Sequence, residues 1–308
     1  MLTNTKSVIG GKKCISAIAM WLAAGLTAGA ATALAQSSQS GPAGQSQSGQ
    51  QPATTSKPQS PAASSNTLEI PISRPPVSAE EEAAEKAFLS MPNTDLPKRI
   101  AAGEEFLKKY PDSEYRPVIY SALTFDYLQS GDTGKAFEVG EKEIALKPDD
   151  VQTLAIMSQT LPRAISSSTP EPEKEKQLAK AEDYGKRAIE IAPTIAKPDG
   201  VSDQNFNTAK NSMLAMAHGG LGLVYYRRGK FNDAIPELEQ SVKIDPNPTP
   251  DPVNLYVLGM ASQKSSHFDE AVAAFTKCAA IAGKLQSVCK SGADEAKKQG
   301  ATQLSAPK

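Results

Sequence analysis

Ala215–Pro246 reads AMAHGGLGLVYYRRGKFNDAIPELEQSVKIDP. Apolar residues recur through it at three- and four-residue spacing, the period of a helix. Leu221, Gly222 and Tyr225 mark a first helix, Gly229 a turn, and Ala234, Leu238 and Ile244 a second helix closed by Pro246. Small residues stand where two helices must touch and bulky ones between them. One such pair cannot bury its apolar face alone, so the stretch predicts neighbours of its own kind.

The neighbours are there. Pro252–Gly283 repeats the spacing with Leu255, Leu258, Gly259, Phe268, Ala271, Phe275 and Cys278, glycine replacing the terminal proline. Pro117–Pro148 carries Tyr120, Leu123, Tyr127, Gly131, Ala136 and Leu146; Gly140 stands where a large aromatic is expected, which predicts looser packing. Between them lies a stretched unit, residues 151–193, whose turn is lengthened by Pro162 and the run Ser166–Pro172. A degenerate unit at 79–110 opens the series. Pro198-Asp199-Gly200 is a turn, after which Ser202 caps a helix of about 26 residues running into the Ala215 unit. Lys284–Lys298 reads as a last helix with Leu285 and Val288 inward, the polar-faced cap that repeat arrays need.

These units resemble the tetratricopeptide repeat. His218 stands where that family favours tryptophan and Ser241 where it favours alanine. The resemblance implies an all-α fold, a right-handed α-solenoid of about five helix hairpins with a C-terminal capping helix, preceded by a disordered linker. Phe106–Tyr115 is also similar to repeat junctions of periplasmic tetratricopeptide proteins of outer-membrane assembly and the Tol–Pal system. Those carry a lipid-attachment cysteine at the signal exit, which is missing here, so the fold carries over and the role does not.

Outside the repeats, Lys6, Lys12 and Lys13 are the only charges before residue 36, and an apolar run from Cys14 to about Ala31 leads to Ala33-Leu34-Ala35. A positive n-region, an apolar h-region and a small-x-small exit form a secretory signal. The expectation is cleavage after Ala35 and a periplasmic or secreted protein; the alternative is an inner-membrane anchor at residues 14–35. Gln, Ser, Gly and Pro fill 23 of the 30 positions from 36 to 65. Such a tract buries too little apolar surface to offset its ordering entropy. The expected division is therefore signal 1–35, linker 36–77, repeat domain 78–299 and flexible tail 300–308.

Lysine plus arginine is 33 against 34 for aspartate plus glutamate, a net charge of −1, which gives no global field for nucleic acid. The two histidines, His218 and His267, have no second ligand at helical spacing, so no metal and no cofactor is expected. Gly219-Gly220-Leu221-Gly222 lies inside a helix and follows no strand, so it cradles no phosphate. No serine sits in a strand–turn–helix elbow. The chain reads as a non-enzymatic scaffold binding a peptide or envelope protein in the groove lined by the first helices of its hairpins. The groove candidates are Phe125, Leu128, Leu223, Tyr226, Arg227, Tyr256, Met260 and Gln263. Gly219 and Leu223 occupy positions where carboxylate-clamping members of the family carry polar residues. The alternative is a small-molecule receptor or hydrolase on an atypical helical fold. With the signal removed, Cys278 and Cys289 are the only cysteines, an even count in an oxidising compartment. They lie nearly mirrored about Gly283 and are expected to form a disulfide.

Overall fold

The structure is a computed structural model and describes residues 77–305. The expected signal and nearly all of the expected linker lie outside the described residues. Among the described residues eleven α-helices follow one another: α1 Ala79–Ser90, α2 Leu96–Lys109, α3 Arg116–Ser130, α4 Thr133–Leu146, α5 Val151–Ala164, α6 Glu171–Ile191, α7 Asp203–Arg227, α8 Phe231–Ile244, α9 Pro252–Lys264, α10 Phe268–Ala279 and α11 Gln286–Ser305. No strand occurs among the described residues.

Local chemistry sets the ends of these helices. The side chains of Ser78, Asp95, Asp132, Asp150 and Ser202 each accept from the backbone N–H three residues on, satisfying donors that a helix start leaves orphaned. Gly131 and Gly229 take φ of 85° and 74° at the turns inside two hairpins, a conformation that costs a side chain heavily.

The helices pair in order as five hairpins, α1/α2 to α9/α10, with α11 packed on α10. The first helices also pack in a row, α1 on α3, α3 on α5, α5 on α7, α7 on α9 and α9 on α11. Four of the five apolar clusters among the described residues follow that row. Phe88, Phe106, Leu123 and Tyr127 join α1 to α3; Ile144, Leu154, Met157, Leu178 and Val224 join α4 to α7. Leu223, Leu238, Val257 and Ala274 join α7 to α10, and Phe275 meets Ala293 and Ala296 of α11. Each fully buried Leu in such a cluster contributes about 1.5–3 kcal/mol relative to exposure.

The glycines inside α7 have a packing role. A Cβ on Gly219 would stand 2.4 Å from Asn254 Nδ2, on Gly220 2.6 Å from the Ser158 backbone, and on Gly222 2.4 Å from Leu238 Cγ. Three successive faces of α7 thus admit α9, α5 and α8 at close range. The Ser158 carbonyl lies against Gly220 because Pro162, which has no N–H, supplies it no helical donor. Gly220→Ala gains about 1 kcal/mol of helix propensity but meets backbone that cannot rotate aside. We expect a net loss of about 1–3 kcal/mol, read as a lower midpoint in thermal unfolding followed by circular dichroism; an unchanged or raised midpoint contradicts the contact.

Four expectations need correction. Pro162 does not lengthen a turn: it is buried inside α5, which continues to Ala164, because a proline in the last turn forfeits only one bond. Packing at Gly140 is not loose, since Met157, fully buried, places its sulfur where a Cβ would be, 2.7 Å away. Val288 faces solvent at 40% exposure, and the inward residues of α11 are Cys289, Ala293 and Ala296. The expected flexible tail from residue 300 is instead helical to Ser305, with Gly300 against Phe268 and Gln299 bonded to Gln263.

Candidate partner-binding groove

The first helices touch one another along the whole row, whereas the second helices pack chiefly on the first. A layer whose members are in close contact is the inner layer of a curved stack, so α3, α5, α7 and α9 line the concave side.

Five expected groove residues come together at its C-terminal end. Tyr226, in the last turn of α7, is half-buried with its ring 5.5 Å from that of Phe231. Tyr256 of α9 is half-buried, 6.0 Å from the Phe275 ring. Burial, and then the neighbouring Tyr256 phenol, push the Tyr226 hydroxyl above its ordinary pKa, so it stays a neutral donor. Met260 packs beside Tyr256 on the Phe275 cluster. Gln263 donates from Nε2 to Gln299 Oε1 at 2.9 Å, tying α9 to α11. Arg227, next to Tyr226, is half-buried. Aromatic and Arg side chains with accessible polar tips are what interface centres enrich.

The other candidates fall elsewhere. Phe125 and Leu128 are half-buried on α3, with α5 between them and the tyrosines, and Leu128 packs on the core of the first two hairpins. Leu223 is corrected: at 4% exposure it lies inside the α7–α10 cluster with Ala234 and Leu238. The register rule that placed it in the groove ignored that α8 and α9 close over that face of α7.

Sequence reasoning missed the polar brace across this groove. Arg163 of α5 donates from Nη2 to Asp251 Oδ2 at 2.6 Å and to Asn254 Oδ1 at 2.9 Å. Asn254 donates to Ser241 Oγ at 3.0 Å, and Ser241 donates to the Ala215 carbonyl at 2.7 Å. Three hairpins are thereby tied at the point where Gly219 and Gly220 thin α7. Ser241 is accommodated by this chain, and His218 by a 2.6 Å contact from Nδ1 to Glu237. The paired glycines were the one available signal, since they mark where two helices approach a third.

Elsewhere, a depression of about 300 Å³ is lined by Glu104, Tyr120, Tyr127, Lys135, Glu138 and Lys142 among others. Its main polar groups satisfy one another: Tyr127 donates to Glu104, Lys135 reaches Glu104 at 3.4 Å, and Lys142 reaches Glu138 at 2.6 Å. Among the described residues no three His, Cys, Asp or Glu stand where they could hold a metal ion, and no helix is long and apolar enough to cross a membrane. The sulfurs of Cys278 and Cys289 stand at bonding distance, with Cα atoms 5.8 Å apart, joining α10 to α11.

Stacked antiparallel helix hairpins with small residues at their crossings define a helical repeat protein of the interaction-scaffold class. Residues 215–248 match the tetratricopeptide repeat. No curated protein matches it in sequence. Similar solved structures include a thermophilic TPR protein of Thermus thermophilus, 19% identical over 71% of this chain and 99% of that one with a TM-score of 0.44. PilF of Pseudomonas aeruginosa is 15% identical over 72% and 90%, TM-score 0.46. PilW, a type IV pilus biogenesis factor, is 15% identical over 75% and 96%, TM-score 0.46.

Proposed function

We propose that the protein is a non-enzymatic adaptor of the bacterial cell envelope. It is exported by its N-terminal signal, begins at Gln36 after cleavage, and binds a peptide or protein element in the concave groove. The carrying observation is the run of half-buried Tyr226, Tyr256, Met260 and Gln263 across α7 and α9, beside the Arg163 brace that holds their helices in fixed relation. Export is supported by the order of the n-region, h-region and exit in residues 1–35. It fits the even cysteine pair, which we propose forms a disulfide in that compartment.

Capture from solubilised envelope by protein that begins at Gln36 tests this. Tyr226→Ala with Tyr256→Ala removes aromatic anchors worth about 1–3 kcal/mol each at an interface, while the buried faces of α7 and α9 remain. The double variant should lose its partner at unchanged helix content. Undiminished capture by it argues against the groove.

A further inference from the structure

From α3 onward charge is sorted between the two helix layers; the first hairpin runs the other way, with four acids and one base on α1 and two acids and four bases on α2. The groove-lining helices α3, α5, α7 and α9 carry five bases, Arg116, Arg163, Lys210, Arg227 and Lys264, and only two acids. Asp126 is out of a partner's reach, and Asp203 is exposed but stands at the opposite end of α7 from Tyr226. Asp126 is buried against Arg99 at 2.8 Å, and Asp203, the first residue of α7, is held by Lys197 at 2.5 Å. The second helices α4, α6, α8 and α10 carry fourteen acids against nine bases.

Burial does not explain this sorting. Lining an inner layer disfavours charge of either sign and would deplete Lys and Arg along with Asp and Glu. In α3, α5, α7 and α9 the depletion falls on acids, and α5 and α9 contain none at all. At the tyrosine end, neither Arg227 nor Lys264 has an ion-pair partner among the described residues. Asp251, at the other end of α9, is engaged by Arg163 and by the Val253 N–H that it caps, and Glu295 of α11 accepts from the Gln299 amide. What the groove presents there is donors: a guanidinium, an ammonium, two phenols and the Gln263 amide.

Resting on the groove reading above, we infer that the occupant is an acidic peptide segment, its carboxylates facing Arg227 and Lys264 and its apolar side chains lying on Tyr226, Tyr256 and Met260. Opposite charge steers encounter and rejects basic competitors; the aromatics supply contact area. The acidic outer layer repels the same segment, which confines it to one face.

The test uses the full exported chain and three pools of random peptides of about twelve residues. Every second position is fixed as Glu, Gln or Lys, and the others are drawn from apolar residues. The Glu pool should be retained about tenfold over the Gln pool, and the Lys pool excluded. The advantage should collapse between about 0.05 and 0.5 M salt. Arg227→Glu with Lys264→Glu should reverse the preference, while Lys243→Glu with Lys277→Glu on the outer layer should not. Equal retention of Glu and Gln pools, or preference for Lys, overturns the acidic occupant and leaves the groove standing. Retention unaffected by Tyr226→Ala with Tyr256→Ala, or no retention of any pool, overturns the occupant and the groove together.

Discussion

Replacing Arg99 by alanine should destabilise the N-terminal hairpins by about 3–5 kcal/mol, the cost of leaving a buried charge without its partner. Arg99 Nε donates to Asp126 Oδ2 at 2.8 Å, and its Nη1 donates to the Met91 carbonyl at 2.6 Å. Its guanidinium carbon stands 4.9 Å from the Phe88 ring centre. One side chain of α2 thereby fastens the end of α1 and the middle of α3. Burial holds the Asp126 carboxyl above its usual pKa, and Arg99 works against that shift; without Arg99 the carboxyl must take up a proton or draw in water. Because each hairpin leans only on its neighbours, the damage should be local. Amide hydrogen exchange should show α1 to α3 losing protection while α7 to α10 keep theirs. Arg99→Met combined with Asp126→Leu should recover most of the loss, since apolar pairs replace buried ion pairs at little cost. Uniform loss along the array, or none, contradicts this picture.

Glu143→Gln should act in the opposite direction. Glu143 of α4 is fully buried, neither carboxyl oxygen makes a hydrogen bond of ordinary geometry, and the Thr153 hydroxyl beside it only partly offsets the burial. Burial first, and then Asp150, raise its pKa to about 9, against the pull of Lys147. The folded chain therefore holds a proton that the unfolded chain releases at an ordinary carboxyl pKa of 4.5. Between those values the native state binds the extra proton, so stability falls as pH rises, by about 1.4 kcal/mol per unit. Below 4.5 both states are protonated and above 9 neither is, so the loss flattens at each end. Glutamine keeps the shape without the charge. The variant should gain about 3 kcal/mol near pH 7 and almost nothing near pH 4. Urea midpoints of both proteins from acid to pH 9 check this; parallel curves contradict it.

The hairpin plan was legible because helix period and turn chemistry are local. Ser202 capping, the length of α7 and the pairing at 215–246 follow from residues a few positions apart. What stayed hidden depends on which helix covers which face. Arg163 meets Asp251 across 88 positions, and nothing near either residue announces the other. Met157 fills the notch at Gly140 from the next hairpin, so a missing aromatic was read as a gap. Leu223 and Val288 were assigned faces from periodicity alone, and tertiary neighbours decided otherwise. At the site, the tyrosines and Gln263 were visible as repeat positions without a fixed packing duty. Their grouping at one end, and the sign of the charge around them, emerge only when α7, α9 and α11 are set side by side.

The central claim is that a partner sits in the groove formed by the first helices. Photo-crosslinking in the intact envelope tests it most directly. A photoreactive residue is placed at Tyr256 or Gln263 on the groove side, and at Lys243 or Lys277 on the outer helices. The account predicts discrete crosslinked products from Tyr256 and Gln263 and none from the outer positions. Products from the outer positions with none from the groove would contradict it.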